Sequence, residues 1–426
     1  MPLAEKEQAR CVLFKHTLAF IAVFVLLLYK SPDALTHPQF WAEDGTIFFQ
    51  QQFGHLAPPI FASYNGYLHV IPRLVAWVAE AFRYKDAPFI YNLSAITIGA
   101  ASIFYFAEKS KFLTPFWITV AIFVLVPTNG EEFGDLTNAQ WLMQLPLFAL
   151  ALYPRSSGIT SSAKTQKFVT RCLCYAVITC LSLTGPFSIF CALIGSVLFA
   201  LSYIHERYGI RSSLTKLSSD WWLKLDKSVF LLIALGGIVQ VITLLFFGNR
   251  PTGAFSFHFA KAMLTTGLQI HVLGAELLPR GLFLLTVVMA LVAATQYCRK
   301  QLNTAHMVML AMGVFAVIQI LGAPTPFFDE AAHSINGDRY FFFAKVAFWV
   351  SVAAMLQTDL PEHKMHRTLL VPITLIFIHL CNPSTLQRPP LADLDWKKAA
   401  RQLNSQDKVV RIPINPTPWF VTITRP

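Results

Sequence analysis

The sequence predicts an all-α polytopic membrane protein of about eleven transmembrane helices, with interfacial helices in its first exterior loop and a small exterior C-terminal tail. Composition is the first observation behind this. The chain is 55% hydrophobic and only 13% charged, with a mean hydropathy of +0.51, whereas ordinary soluble domains carry about 25% charged residues. The second is a series of apolar runs of spanning length at 11–29, 88–107, 112–127, 138–153, 168–184, 186–204, 228–247, 280–297, 305–322, 340–357 and 367–380. The first run lacks a small-residue cleavage site and reads as a retained helix, not a removed signal peptide.

Charge distribution orients the helices. Residues 66–82 are apolar but contain His69, Pro72, Arg73 and Glu80. If this stretch lies on the surface, the basic loops 108–111, 155–171, 205–227, 298–300 and 362–367 share a side with Lys6, Arg10 and Lys15, as the positive-inside rule requires. If it crosses, every later basic loop faces outward. The expected topology is therefore a cytoplasmic N-terminus, an interfacial or re-entrant helix at 66–82 and an exterior C-terminus. The net charge of +11 follows from this pattern and does not indicate nucleic acid. The cytoplasmic loops read as plain connectors.

The division expected is a membrane domain over 1–380, including an exterior first loop at 30–87, and a tail over 381–426. Within the tail, Asp393 to Leu403 suits a short helix, and Val409 to Ile414 and Phe420 to Ile423 suit strands. The tail is too short to bury a full core of its own and is expected to pack on the exterior loops. Six of the seven Cys lie in or beside apolar runs without metal-ligand spacing, so no bound metal and no cofactor is expected. No internal repeat is visible, which weakens a transporter built of inverted halves.

Chemistry-bearing residues crowd the exterior side. Glu43 and Asp44 form an acidic pair soon after the first run, either as caps of a helix beginning near Ala42 or as ionised carboxylates able to accept a proton. Tyr64, Asn65, Tyr67, His69 and Arg73 follow within ten positions, and Arg73 suits a phosphate or simple snorkelling. In the second acidic loop, Glu132, Asp135, Asn138, Gln140 and Trp141 have the polar and aromatic mixture that binds sugars; the alternative is a solvated loop with an interfacial Trp. Ahead of the tenth run stand Arg339 and, about two turns deeper, Lys345, a cation that needs either a lipid phosphate or a carboxylate in the bundle. Arg250 and Arg280 are weaker candidates of the same kind. No phosphate-binding loop, zinc-protease helix or serine-hydrolase elbow is present.

These strings resemble the GT-C superfamily of membrane glycosyltransferases. The similarity rests on the acidic pair after the first crossing, the surface helices of that loop, the second acidic loop and the exterior tail. Trp41 to Gly45, Asn65 to Arg73, Thr137 to Trp141, Gly337 to Phe341 and Ile412 to Pro416 look like bacterial O-antigen-modifying, serotype-converting glucosyltransferases. The resemblance implies a GT-C-like bundle in a bacterial inner membrane, a polyprenyl-phosphate sugar as donor and a lipopolysaccharide or other envelope glycan as acceptor. It further implies Asp44 or Glu43 as general base, Arg73, Arg339, Lys345 and His69 at the donor phosphate, and Glu132, Asp135, Asn138, Trp141, Tyr64, Asn65 and Tyr67 around sugar or acceptor. A flippase and a donor-synthesising glycosyltransferase would be its functional neighbours. Relatives often carry Asp before Glu, so the order Glu43-Asp44 leaves the base open between them; Asp44 is preferred because Gly45 would let substrate approach. A polyprenyl-linked glycan flippase, an O-antigen ligase or polymerase, and a non-catalytic membrane subunit are the rival readings.

Overall fold

The computed structural model describes residues 3–128, 130–154, 164–210, 212–247, 257–262, 271–272, 303–322, 337–358, 368–381 and 386–425. Among them, six helices are long and apolar enough to cross a membrane: Arg10–Lys30, Tyr84–Phe112, Phe187–Tyr208, Lys227–Phe247, Thr304–Leu321 and Asp338–Gln357. The protein is a mostly helical, multi-pass membrane protein. In chain order its main helices are α1 (Leu3–Lys30), α2 (Val70–Glu80), α3 (Ala87–Lys109), α4 (Phe116–Leu125), α5 (Ala139–Leu152), α6 (Lys164–Ser182), α7 (Phe187–Tyr208), α8 (Ser213–Lys224), α9 (Lys227–Phe247), α10 (Thr304–Leu321), α11 (Phe342–Thr358) and α12 (Leu370–Cys381). The expected run at 280–297, Arg250 and Arg280 lie outside the described residues.

Helix α2 has 11 residues, about 16 Å at 1.5 Å per residue, against a hydrocarbon core of about 30 Å. It cannot cross. Val70, Pro72, Arg73, Ala76 and Ala79 are buried, while Trp77 and Val78 are exposed, the two-faced pattern of a surface helix.

Two of the expected crossings are short as helices. Helix α4 has 10 residues and α5 has 14, about 15 and 21 Å. Every residue of α5 except Leu150 is buried, which places this helix at the centre of the bundle. The loop between α4 and α5 is correspondingly internal: Thr128, Glu132, Phe133, Asp135, Thr137 and Asn138 are all buried. The alternative of a solvated acidic loop is thereby removed.

Ending α4 inside the protein exposes its last carbonyls to a medium without water, where unpaired backbone groups are expensive. Basic side chains from three other helices meet that need. Lys30 Nζ of α1 donates to Val124 O at 2.9 Å and Val126 O at 3.5 Å, His379 Nε2 of α12 to Leu125 O at 2.6 Å, and Lys345 Nζ of α11 to Pro127 O at 2.8 Å. Cations at a helix C-terminus also favour its dipole.

At the opposite pole, the connector expected at 205–227 contains a folded helix. Ser212 Oγ caps α8 by accepting from Thr215 N, and the buried Trp221 donates through Nε1 to Leu152 O at 2.9 Å. Its buried indole makes α8 part of the packed structure, which the charge count of that loop could not reveal.

The tail follows expectation closely. Strands β1 (Val409–Ile414) and β2 (Trp419–Thr424) pair antiparallel with Val409 opposite Thr424, and the short helix is confined to Trp396–Ala399, continued by a 3₁₀ turn over Ala400–Asn404. Val410, Ile412 and Ile414 alternate inward and share one core with Phe40, Phe49, Tyr91 and Trp396. The tail is thus packed directly on the first loop. Asn415 N donates to Phe40 O at 3.2 Å and Asn415 O accepts from Ala42 N at 2.5 Å, while Arg388 Nη2 donates to Asp33 Oδ2 at 2.6 Å.

Candidate functional site

The backbone entering the acidic pair is strained and held. Ala42 has φ of 33°, a conformation that costs a residue with a Cβ about 1–3 kcal/mol, and it is this residue that the tail's Asn415 grips. Residues Asp44–Phe49 then form a π-helix, with Gln50 N reaching back to Gly45 O; such bulges occur often at functional sites. A helix therefore does begin near Ala42, but neither acid caps it through its side chain. Gly45 faces the tail: an added Cβ would lie 2.6 Å from Ile414 Cδ1 and 2.9 Å from Val421 Cγ2. Its missing side chain serves tail docking, which overturns the expectation that it admits substrate. Gly45→Ala is expected to destabilise by about 1–3 kcal/mol through overpacking and to speed limited proteolysis of the tail; an unchanged cleavage rate would refute that packing role.

The two acids have different environments. Asp44 is fully buried, and its oxygens accept from Leu136 N at 2.9 Å, Thr137 N at 2.7 Å and Thr137 Oγ1 at 2.6 Å. It joins the first loop to the turn that starts α5. Burial pushes its carboxyl up to about 7, against the pull of those three donors. Glu43 is half-buried, with Oε1 accepting from Tyr64 Oη at 3.0 Å. Glu43 is the acid with access to solvent.

The remaining first-loop residues form a chain of rings around Glu43. Asn65 and Gly66 have φ of 51° and 84°, the paired positive values of a tight hairpin turn, and Tyr64 and Tyr67 bridge across it. Tyr64 and Tyr67 lie 5.7 and 4.9 Å from His69, and Phe48 lies 5.7 Å from His69. His69 Nδ1 donates to Tyr67 O at 3.3 Å, and burial, with the neighbouring Arg73, holds the imidazole neutral, down to about 3. In this tautomer Nε2 is an acceptor, so His69 gives neither charge nor hydrogen bond to a phosphate. Arg73 is buried, with its guanidinium 5.7 Å from the Phe48 ring. Nη1 donates to Gln51 Oε1 at 2.9 Å, whereas Nε and Nη2 have no hydrogen-bond partner among the described residues. No carboxylate pairs with it among those residues.

The second acidic loop is wired to both sides. Asp135 Oδ1 accepts from Asn138 N at 2.9 Å, and Asn138 Nδ2 donates to Glu131 O at 2.9 Å. Glu132 Oε2 accepts from Thr128 Oγ1 at 2.7 Å. Burial, and next Asp338, push the Glu132 carboxyl up to about 7; burial and then Asp44 raise Asp135 strongly. For Asp44 and Glu132 the fold favours the neutral form, so their stabilising contribution is complete below their ordinary values of 3.8 and 4.5 and is lost as pH rises through about 7; Asp135 acts in the same direction. His69, held neutral, acts in the opposite sense between about pH 3 and 6.5, so the test is a difference: between pH 4 and 8 the Tm of Asp44→Asn should fall less, or rise more, than that of wild type, and equal slopes would contradict the assignment.

The two basic residues of the 337–345 string already have carboxylate partners. Arg339 pairs with Glu131, and Lys345 pairs with Asp338, whose Oδ1 also lies 2.7 Å from His271 Nδ1. Of the two possibilities open for Lys345, the carboxylate inside the bundle is the one realised. Trp141 packs edge-on against Phe187 and Tyr340 at 5.2 and 5.1 Å.

The structure therefore brings Glu43, Asp44, Tyr64, Tyr67, His69 and Arg73 together, and links them through Asp44 to Asp135 and Asn138. Lys345 and Glu132 belong to the buried network beneath the loop. Sequence reasoning missed Lys30, His379 and Asp338, although a basic residue at the end of an apolar run was a usable signal. Comparison with protein-family models, characterised proteins and solved structures finds no match. What the fold and site define is a class only: a multi-pass helical membrane protein with a buried acidic and cationic pole roofed by its C-terminal tail.

Proposed function

We propose that the protein is a GT-C-like glycosyltransferase that moves a sugar from a polyprenyl-phosphate donor to a cell-envelope glycan such as O-antigen or lipopolysaccharide. The observation that supports this is the ring-lined connection between Glu43, an acid open to solvent, and Arg73, a buried cation lacking a carboxylate partner among the described residues. Glu43 would take the proton from an acceptor hydroxyl as that oxygen attacks the anomeric carbon. The sugar–phosphate bond breaks, and Arg73 stabilises the charge that grows on the leaving phosphate. Asp44 is a positioning residue that fixes the loop. Arg339 is held by Glu131. The reading uses no metal or cofactor.

Relocating the base from Asp44 to Glu43 follows from accessibility, because a carboxylate closed in by three donors has little room for an acceptor hydroxyl. A flippase would instead use ionisable groups deep in the bundle, yet Lys30 and Lys345 are engaged in capping the end of α4. Reconstituted protein should transfer labelled sugar from a polyprenyl-phosphate donor to a lipid-linked glycan; donor translocation without transfer would favour the flippase.

The reading places the acidic pole in the periplasm of a bacterial inner membrane, with about eleven crossings. In a background free of native cysteines, His55→Cys and Thr424→Cys should react with an impermeant maleimide in intact cells, whereas Lys216→Cys should not. The reverse pattern would invert the topology.

A further inference from the structure

We infer a neutral sugar-binding site inside the bundle, formed by Gln140, Trp141 and Gln144 of α5 with Gln319 of α10. These side chains are 5%, 6%, 0% and 3% exposed. Each carries polar atoms without a hydrogen-bond partner among the described residues: Gln140 Oε1, Trp141 Nε1, Gln144 Oε1, and both Oε1 and Nε2 of Gln319. A buried polar atom left unpaired costs about 1–3 kcal/mol, so four such side chains on two helices make an arrangement that apolar residues would stabilise better. Their presence points to a ligand that supplies the missing partners.

Packing brings the four together. Phe148 and Phe315 touch, with ring centroids 5.4 Å apart. Gln144 lies one turn from Phe148 and Gln319 one turn from Phe315, both toward the acidic pole, and residues four apart share a helix face. Trp141 packs 5.2 Å from Phe187, which stacks 6.5 Å from Phe315. Gln140 Oε1 lies 2.7 Å from where a Cβ on Gly185 would be, two residues before Phe187.

The open atoms specify the ligand. Amide oxygens accept from hydroxyls, and the Gln319 amide and the Trp141 indole donate to ring or hydroxyl oxygens. Aromatic rings line the same place, as apolar faces of a hexose require. None of the four side chains is charged, and the nearby Glu131 and Arg339 neutralise each other. The chemistry therefore selects an uncharged hexose over a uronic acid or an amino sugar. Only the identity of the molecule carrying the hexose rests on the glycosyltransferase reading.

Full-length protein in detergent, titrated calorimetrically, tests this with three probes: a polyprenyl-phosphate hexose, bare polyprenyl phosphate and a free methyl hexoside. Gln144→Leu and Gln319→Leu, with Gln319→Met as a second substitution at that position, should keep a Tm equal to or above wild type. They should bind the hexose-bearing probe at least ten-fold more weakly and the bare phosphate unchanged. Equal hexose affinity in the variants, or no binding of either hexose probe by wild type, overturns the site and leaves ordered water as the partner. Loss of methyl hexoside binding in variants of a protein that ignores both polyprenyl probes would uphold the site and reject the glycosyltransferase reading.

Discussion

Glu43→Gln should lower sugar transfer about 10²- to 10⁴-fold, the range that a positioned general base contributes, without a measurable change in Tm. Gln keeps the length of the side chain and can still accept from Tyr64 Oη, whose 3.0 Å bond is the one contact described for the carboxylate. Only the ability to take a proton is removed. Asp44→Asn has a different signature. One oxygen becomes an NH₂ group facing donors from Leu136 and Thr137, so a buried donor meets another donor, and stability should fall by about 1–3 kcal/mol. Activity then declines with the folded fraction. A Glu43→Gln variant with full activity beside a folded, inactive Asp44→Asn would return the base to Asp44. Full activity in both would remove the acidic pair from the chemistry.

The placement of the helices was legible because hydropathy reports it directly: ten of the expected apolar runs coincide with apolar helices among the described residues. The tail's strands were legible for a similar reason, since Val410, Ile412 and Ile414 alternate with exposed neighbours. The internal position of the second acidic loop was not. Glu131-Glu132 and Asp135 are compatible in sequence with either a sugar-binding or a solvated loop because charge usually marks solvent, and nothing local indicates that α4 stops short or that Lys30, His379 and Lys345 arrive from distant helices to satisfy its carbonyls. The role of Gly45 was hidden in the same way, because its neighbours Ile414 and Val421 come from the far end of the chain.

Lys345→Met should destabilise the protein by about 3–5 kcal/mol, the usual consequence of removing one partner from a buried ion pair. The ammonium is fully buried and serves two acceptors, Asp338 and Pro127 O. Met fills most of the volume but leaves a carboxylate and a helix-end carbonyl without their cation. The loss should shrink in Lys345→Met combined with Asp338→Asn, because the carboxylate charge that has lost its ammonium and keeps only the His271 contact already described is then gone, while the Pro127 carbonyl still lacks its donor. Arg339→Met should by contrast cost no more than about 1 kcal/mol, because its pair with Glu131 is partly solvated and such pairs contribute little. Thermal unfolding in detergent separates this from a role at the donor phosphate: a phosphate ligand would lose polyprenyl-phosphate affinity at unchanged Tm. Lys345 lies buried within α11 because the end of α4 is there, and the fold should be far more sensitive to its removal than to that of Arg339.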